Sequence, residues 1–457
     1  MRISKIASKI MALLMAAVPV LVSGQVGFGG NQKPVWKETP AKTTGLDNIY
    51  VAHDSHGLEI TYTAASASEN VVWYGFDHRG GSSVEEIQGV TKTGNVTTLS
   101  QPIMDHGYMI EEGTRRTYFW LIDYESKRYY VNSLSLAPEQ DCGQARLIVD
   151  GNGSNIIYYT INGMPQTLSR QIRLSYKTLS WDDAIIEDPG ENMWMPVDVE
   201  VELDGFQKDI VQPGPLCNTD FFLSGDRFLE FWGEAQEPLS VNLDTKSVDV
   251  RTFATQAVKE GEEKKEAGLG GSAPVEIKFA AYPTDAVIHN EWQMARDPEF
   301  NDIVLRLNNE SHTETFDESG TTYWRFIGSD ASGDCEAYGE TFKVDIGESM
   351  LDCPNAFSPG ASEGVNDVWK VSSKSLVEFH CWIFNRYGVK MFEFSDPSQG
   401  WDGMRGGKVV PSGVYYYVIE ARGADGRTYK KSGDINIVGQ SSNYKGGGTG
   451  EGGETNP

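Results

Sequence analysis

The side chains of this 457-residue chain that could do acid–base, nucleophilic or metal chemistry are scattered rather than grouped. Histidines stand at His53, His56, His78, His106, His289, His312 and His380, and only the first two are close in sequence. His53 and His56 form an H-x-x-H pair. Such a pair binds zinc when it lies on a helix with a glutamate suitably placed; here it lies on a loop without one, so a solvated turn is expected. His380 should point away from Cys381 on its strand, either exposed or packed beside Trp382. No G-x-S-x-G nucleophile elbow and no G-x-x-x-x-G-K phosphate loop are present. Asp182-Asp183 and Glu187-Asp188 lie near Trp181 and could be imagined as the carboxylate pair of a glycosidase. With 65 acidic residues in the chain, however, adjacent carboxylates are common. The sequence therefore assigns no catalytic residue, no cofactor and no metal.

Five cysteines remain: Cys142, Cys217, Cys335, Cys353 and Cys381. No C-x-x-C spacing occurs, so structural zinc and thioredoxin-like chemistry lack their motif. Outside the cytoplasm, disulfides become the expected use. The expected pairs are Cys142 with Cys217 and Cys335 with Cys353. Cys381 alternates with Phe379 and Ile383 and is expected as a small core residue. Eleven Trp and 20 Tyr could stack on a surface polysaccharide, although sandwich cores also need aromatics.

The first residues carry an export pattern. Arg2, Lys5 and Lys9 precede an apolar stretch over 11–22, followed by the small residues Ser23 and Gly24. That order matches a secretory signal peptide over 1–24, with an apolar core of roughly 12 residues, too short for a permanent membrane helix. No Cys follows for a lipid anchor. The net charge is −26, from 39 Lys+Arg against 65 Asp+Glu. Such a field repels phosphate backbones, so no nucleic-acid partner is expected.

Helical periodicity is almost absent. Short runs rich in Val, Ile, Thr, Tyr, Phe and Trp alternate with Gly, Asn, Asp and Pro, the pattern of antiparallel sandwiches. Asp198-Val199-Glu200-Val201-Glu202-Leu203 alternates strictly, as a strand with one wet and one dry face must. The fold class expected is all-β, as tandem immunoglobulin/fibronectin III-like sandwiches. Their bounds are 44–138, 142–256 and 274–348, with a flexible charged and Gly-rich linker over 257–273 and a disordered Gly-rich tail over 439–457. Trp292 followed by Gly320-Thr321-Thr322-Tyr323-Trp324-Arg325-Phe326 resembles the fibronectin type III-like modules of bacterial surface proteins. Trp73 followed by Gly113 and Thr117-Tyr118-Phe119-Trp120 is a looser version.

The segment 353–438 carries five ordered motifs. They are Pro354-Asn355-Ala356-Phe357-Ser358-Pro359, Gly364-Val365-Asn366-Asp367-Val368-Trp369, Ile383-Phe384-Asn385-Arg386-Tyr387-Gly388, Gly400-Trp401-Asp402-Gly403 and Pro411-Ser412-Gly413-Val414-Tyr415. Together they resemble the gliding-motility-associated C-terminal domain, the type B sorting domain of the type IX secretion system of the Bacteroidetes. The resemblance implies a β-sandwich read by the type IX secretion machinery, passage across the outer membrane, and association with a PorP/SprF-type outer-membrane protein. Read residue by residue, the motif positions serve turns and core. Recognition would belong to the folded domain. The family's usual Asn-Gly-Asp-Gly run is replaced by Gly360-Ala361-Ser362-Glu363-Gly364. Glu363, Asn366 and Asp367 fall short of the six to eight oxygens that calcium takes. The function expected is a non-catalytic surface or outer-membrane-associated accessory component. A short adhesin or glycan-binding protein is the alternative, and a hydrolase over 142–255 is a distant third.

Overall fold

The computed structural model describes residues 24–30, 33–257, 268–361 and 364–439. The expected leader, most of the expected linker and the tail from 440 lie outside the described residues. What is described is built from strands, with a single short α-helix, Arg227–Trp232. The fold is all-β and multi-domain.

The first unit faces a four-stranded sheet against a six-stranded one. The central strands of the larger sheet are Arg115–Asp123 and His106–Glu112. Trp73, Tyr108, Phe119 and Leu121 fill the space between the sheets together with Ile60 and Tyr62. The indole of Trp73 donates to Thr97 Oγ1 at 3.0 Å. Buried Glu112 is satisfied by the Tyr62 hydroxyl at 2.8 Å and the Ala65 N–H at 2.6 Å.

Trp120 and Ile122 alternate with Phe119 and Leu121, so they leave the sheet on its other face. There they join a second core with Tyr124, Leu147, Ile156, Leu174, Phe228 and Leu229. A strand buried on both faces must be apolar at every position, which is why residues 118–122 read without a polar interruption. The first two units consequently share one continuous core. The helix is capped by Asp226, which accepts from the N–H groups of Phe228 (2.8 Å) and Leu229 (3.3 Å). The same fully buried carboxylate pairs with the Arg170 guanidinium. Phe228-Leu229-Glu230-Phe231-Trp232, for all its aromatic content, is helical and not a strand because this cap and Gly233 close both ends.

The sequence boundaries shift at both ends of the second unit. Tyr130–Leu136 pairs with Gln144–Asn152 and belongs to the second unit, not to the first as the bound at 138 implied. Val250–Gln256 pairs with Val275–Pro283 and belongs to the third unit, not the second. Leu269–Gly271, expected in the linker, pairs in parallel with Phe342–Ile346. Strand partnership is a long-range choice that local composition does not encode. In the third unit Trp292 lies opposite Phe326, with ring centroids 5.4 Å apart, and Phe279 stacks on Trp324 at 4.6 Å.

Both expected disulfides are corrected. Cys142 bonds Cys335 across 193 residues of chain, with Cα atoms 5.3 Å apart. Cys217, Cys353 and Cys381 carry free thiols. Sequence proximity favoured partners close along the chain, whereas packing of the second unit on the third brings the loop after Tyr130–Leu136 to the strand Glu336–Tyr338. The carboxylates once considered for hydrolysis reinforce this junction. Asp188 accepts from Lys278 Nζ at 2.8 Å and from the Tyr282 hydroxyl, and Asp183 meets Arg251 at 3.3 Å. Trp194 Nε1 donates to the Tyr282 carbonyl at 2.9 Å, and Trp181 stacks on the Tyr282 ring.

Glu234 holds the first junction on its polar side. It meets Lys33 at 2.7 Å, Arg128 at 2.6 Å and His53 at 3.2 Å, so His53 is a junction residue. The hydrogen bond from Lys33, then that from Arg128, hold its carboxyl at about 2 against an ordinary 4.5. A depressed carboxylate stabilises the folded state above its unfolded pKa and loses that contribution as pH falls through the folded one. The unfolding midpoint should therefore drop between pH 4.5 and about 2, and Glu234→Gln should flatten that drop when melting is followed by tryptophan fluorescence. At the second junction, Cys142→Ser should cost about 2–4 kcal/mol. Added reductant should then no longer shift the melting curve of the variant.

Candidate functional site: the carboxy-terminal sandwich

The last unit is organised by a five-stranded sheet in the spatial order Ala356–Phe357, Thr428–Ile437, Gly413–Gly423, Leu376–Asn385 and Lys390–Phe394. Cys381, Ile383, Tyr415, Ile419, Ile435 and Ile437 line its inner face. Cys381 is fully buried there, and burial pushes its thiol up to about 12. The loops opposite the inner face supply Trp369 and Trp401, both fully buried. Their backbones form a two-way bridge, each N–H donating to the other's carbonyl at 2.8 Å. The Trp369 indole donates to the Pro354 carbonyl at 2.6 Å and the Trp401 indole to the Met404 carbonyl at 3.0 Å.

The motif residues converge on one end of this sheet. Phe357 is paired with Ile437, Ile437 with Gly413, and Tyr415 with Asn385. Trp401 stands 5.6 Å from the Phe357 ring and 5.2 Å from that of Tyr415. Asn355 accepts from Asn436, and the Tyr415 hydroxyl donates to the Pro411 carbonyl at 2.9 Å. Gly403, at φ +77°, has Pro359 and Phe357 against it so closely that a Cβ would lie 3.3 Å from the proline ring. Asp402 accepts from the Met404 N–H at 2.9 Å and forms that turn. Asn385 Oδ1 accepts from the N–H groups of Tyr387 and Val389, closing the hairpin whose αL position is Gly388. Arg386 lies over the exposed Tyr387 ring at 4.9 Å.

The Asp367 carboxylate is committed to its own loop. One oxygen accepts from the Gly360 N–H and the other from the Gly364 N–H, each at 2.7 Å. Asn366, at φ +55°, accepts through its carbonyl from Ser358 at 2.8 Å. Glu363 lies outside the described residues. Most of the motif positions thus serve a turn or the core, while Val365 and Tyr387 remain largely exposed.

Sequence reasoning overlooked the outer face of the same sheet. Val414, Tyr416 and Val418 alternate with the buried Tyr415 and Ile419 and the partly buried Tyr417, and are 44, 45 and 39% exposed. Register sets Phe384 beside Tyr416 and Trp382 beside Val418. The rim is mixed in charge, with Lys390 and Glu393 on one side and Asp434 on the other. The outer face of an antiparallel sheet is ordinarily polar. The signal was legible in Val414-Tyr415-Tyr416-Tyr417-Val418, which has aromatic or aliphatic residues at both parities. The unit is also electrically balanced: residues 351–437 hold ten Lys or Arg and ten Asp or Glu, while the chain as a whole is at −26.

This architecture is that of a multi-domain β-sandwich protein ending in a sorting module. Residues 351–437 match the CHU_C type IX secretion signal domain, and residues 135–240 match a fibronectin type III domain. The fibronectin match falls on the second unit, one unit before the Trp292 segment that resembled it. No curated protein matches the chain. Among solved structures, a segment of a 1.5-MDa bacterial ice-binding adhesin aligns at 11% identity and TM-score 0.20, covering 68% of this chain and 99% of its own. Three N-terminal domains of the bacteriophage RB49 outer capsid protein Hoc align at 8% and 0.22, with the same coverage. A Ca2+-stabilised ice-binding adhesin of an Antarctic bacterium aligns at 9% and 0.20, covering 91% of this chain and 99% of its own. Scores this low carry no functional argument. The sorting signal is what marks the chain for export to the cell surface and for engagement by the type IX secretion machinery.

Trp401→Ala should destabilise the last unit by about 3–5 kcal/mol, as loss of a buried Trp does. Tyr416→Ala on the outer face should change stability by no more than about 0.5 kcal/mol. Equilibrium denaturation of the full chain, followed through the unit's own transition, checks both.

Proposed function

We propose that this protein is a non-catalytic accessory or structural component of the cell surface. In this reading residues 1–24 direct it through the general export route. Its carboxy-terminal unit then carries it across the outer membrane and keeps it associated with an outer-membrane barrel of the PorP/SprF type. The observation that carries the reading is the sorting domain itself, matched over nearly its whole sheet. The junctions support a structural role, since a shared core and an inter-unit disulfide make the units a stiff spacer rather than beads on a string.

We assign the barrel contact to the apolar outer face around Tyr416, Val418, Trp382 and Phe384. Aromatic anchors are the residue types that dominate protein interfaces. The unit's balanced charge also spares this contact the repulsion that a face on the acidic remainder would bring. Deleting 351–437 should leave the protein inside the outer membrane. Tyr416→Lys combined with Val418→Lys should keep the melting temperature of the folded unit while a pull-down of the surface form loses its barrel partner. Retention of the same outer-membrane companion by that variant would overturn the assignment of the face, and unaltered export of the deleted form would overturn the function.

A further inference from the structure

The third unit carries a feature that neither export nor stiffness uses. The outward faces of Ile303–Leu307, His289–Ala295, Gly320–Ser329 and Glu336–Tyr338 are neighbours in one sheet. They form an open groove of about 720 Å3. Its side chains sit in register across the strands: Arg306 beside Gln293, Gln293 beside Arg325, Glu291 beside Ile327, and Ser329 beside both His289 and Glu336.

These polar groups are held in place. Arg325 donates twice to Gln293 Oε1, at 3.0 and 2.9 Å, and the Gln293 amide and Arg306 both donate to Glu291. Gln293 is only 4% exposed although it lies on the outward face. Arg325 is itself clamped between the rings of Phe300 and Tyr338, at 4.0 and 5.4 Å. An ordinary solvated sheet face carries mobile lysines and glutamates, and no lysine lines this groove. Groups already ordered cost little further entropy on binding.

Charge and shape define the ligand. Of the charges lining the groove, Arg306 is paired with Glu291 and Glu336 accepts from the Tyr338 hydroxyl, so the groove offers a polyanion no unpaired cation and a polycation one carboxylate at most. Carboxylate, amide and guanidinium groups accept from and donate to hydroxyls. Among the described residues the side chains of His289, Asn308 and Ser329 make no hydrogen bond within the protein. Ile327 supplies an apolar floor, and Ile288 and Tyr338, 59 and 53% exposed, stand at its margins. Alternating hydroxyl-directed groups over an apolar floor suit a ring with polar edges and a C–H face. We propose that this groove binds a neutral polysaccharide chain, lying across the strands of the third unit. The proposal is independent of how the protein is exported.

The test uses the full mature chain and short neutral glucan, mannan, galactan and xylan oligosaccharides, with polygalacturonate oligomers as the anionic control. Calorimetry and amide NMR should detect saturable binding of at least one neutral oligomer, insensitive to salt, with shifts at His289, Asn308 and Glu336. Asn308→Ala and Glu336→Gln, both surface changes that should leave the melting curve alone, should each weaken it about tenfold, the loss of one hydrogen bond to a ligand hydroxyl. Absence of binding by every neutral oligomer overturns the proposal. So does binding that both variants leave unchanged, or a salt-sensitive preference for the anionic control.

Discussion

A β-strand has two faces, and a sandwich core uses only one of them. What this protein does with the second face governs its architecture. In residues 118–122 the second face is apolar and is covered by the neighbouring unit, so Trp120 and Ile122 fuse two sandwiches through one core. In Gly413–Gly423 the first half of the second face is again apolar, with Val414, Tyr416 and Val418, but it stays open to solvent. In His289–Ala295 and Gly320–Ser329 it is polar and locked into a network around Gln293. The same period-2 geometry gives a junction, an apolar surface and a polar groove.

The units are joined by interactions of different physical kinds. Hydrophobic burial holds the first junction, with Glu234 gathering cations at its edge. The second combines a covalent bond with the Trp181, Trp194 and Tyr282 cluster. The third combines apolar and polar contacts: Val377 and Ala424 of the last unit pack on the core of the third, Ser349 binds Asp425 through both its N–H and its hydroxyl, and Ser272 and Ser375 meet across the boundary. Relative motion between domains is the default unless an interface is large and hydrophobic, and each of the three boundaries carries apolar contacts that oppose it.

Within the sorting unit, the tryptophan bridge explains why motifs so far apart in sequence belong together. Trp369 and Trp401 exchange backbone hydrogen bonds, and their indoles reach Pro354 and Met404. The segments 354–359, 364–369, 400–403 and 411–415 are thereby tied to one end of one sheet. Gly403 is needed because Phe357 and Pro359 approach its Cα, and Asp367 because its two oxygens close the preceding loop.

Much of this architecture is legible in the amino-acid sequence. The all-β class followed from strict alternation, as in residues 198–203, and the sorting unit from five ordered motifs with turn residues at their corners. Those features are local, and the backbone responds to them within a few residues. The core role of Cys381 was equally legible from its parity with Phe379 and Ile383. Partnership was not. The pairing of Cys142 with Cys335, the transfer of Tyr130–Leu136 and Val250–Gln256 to the following units, and the helix at Arg227–Trp232 depend on segments up to 193 residues apart. Alternation tells which side of a strand is dry and is silent on which neighbour dries it. That is why the sequence alone determined the kind of fold and the identity of its address-bearing unit. Only packing decided where Trp120 would be buried, what Asp188 would bind, and which outward faces would be left open to solvent.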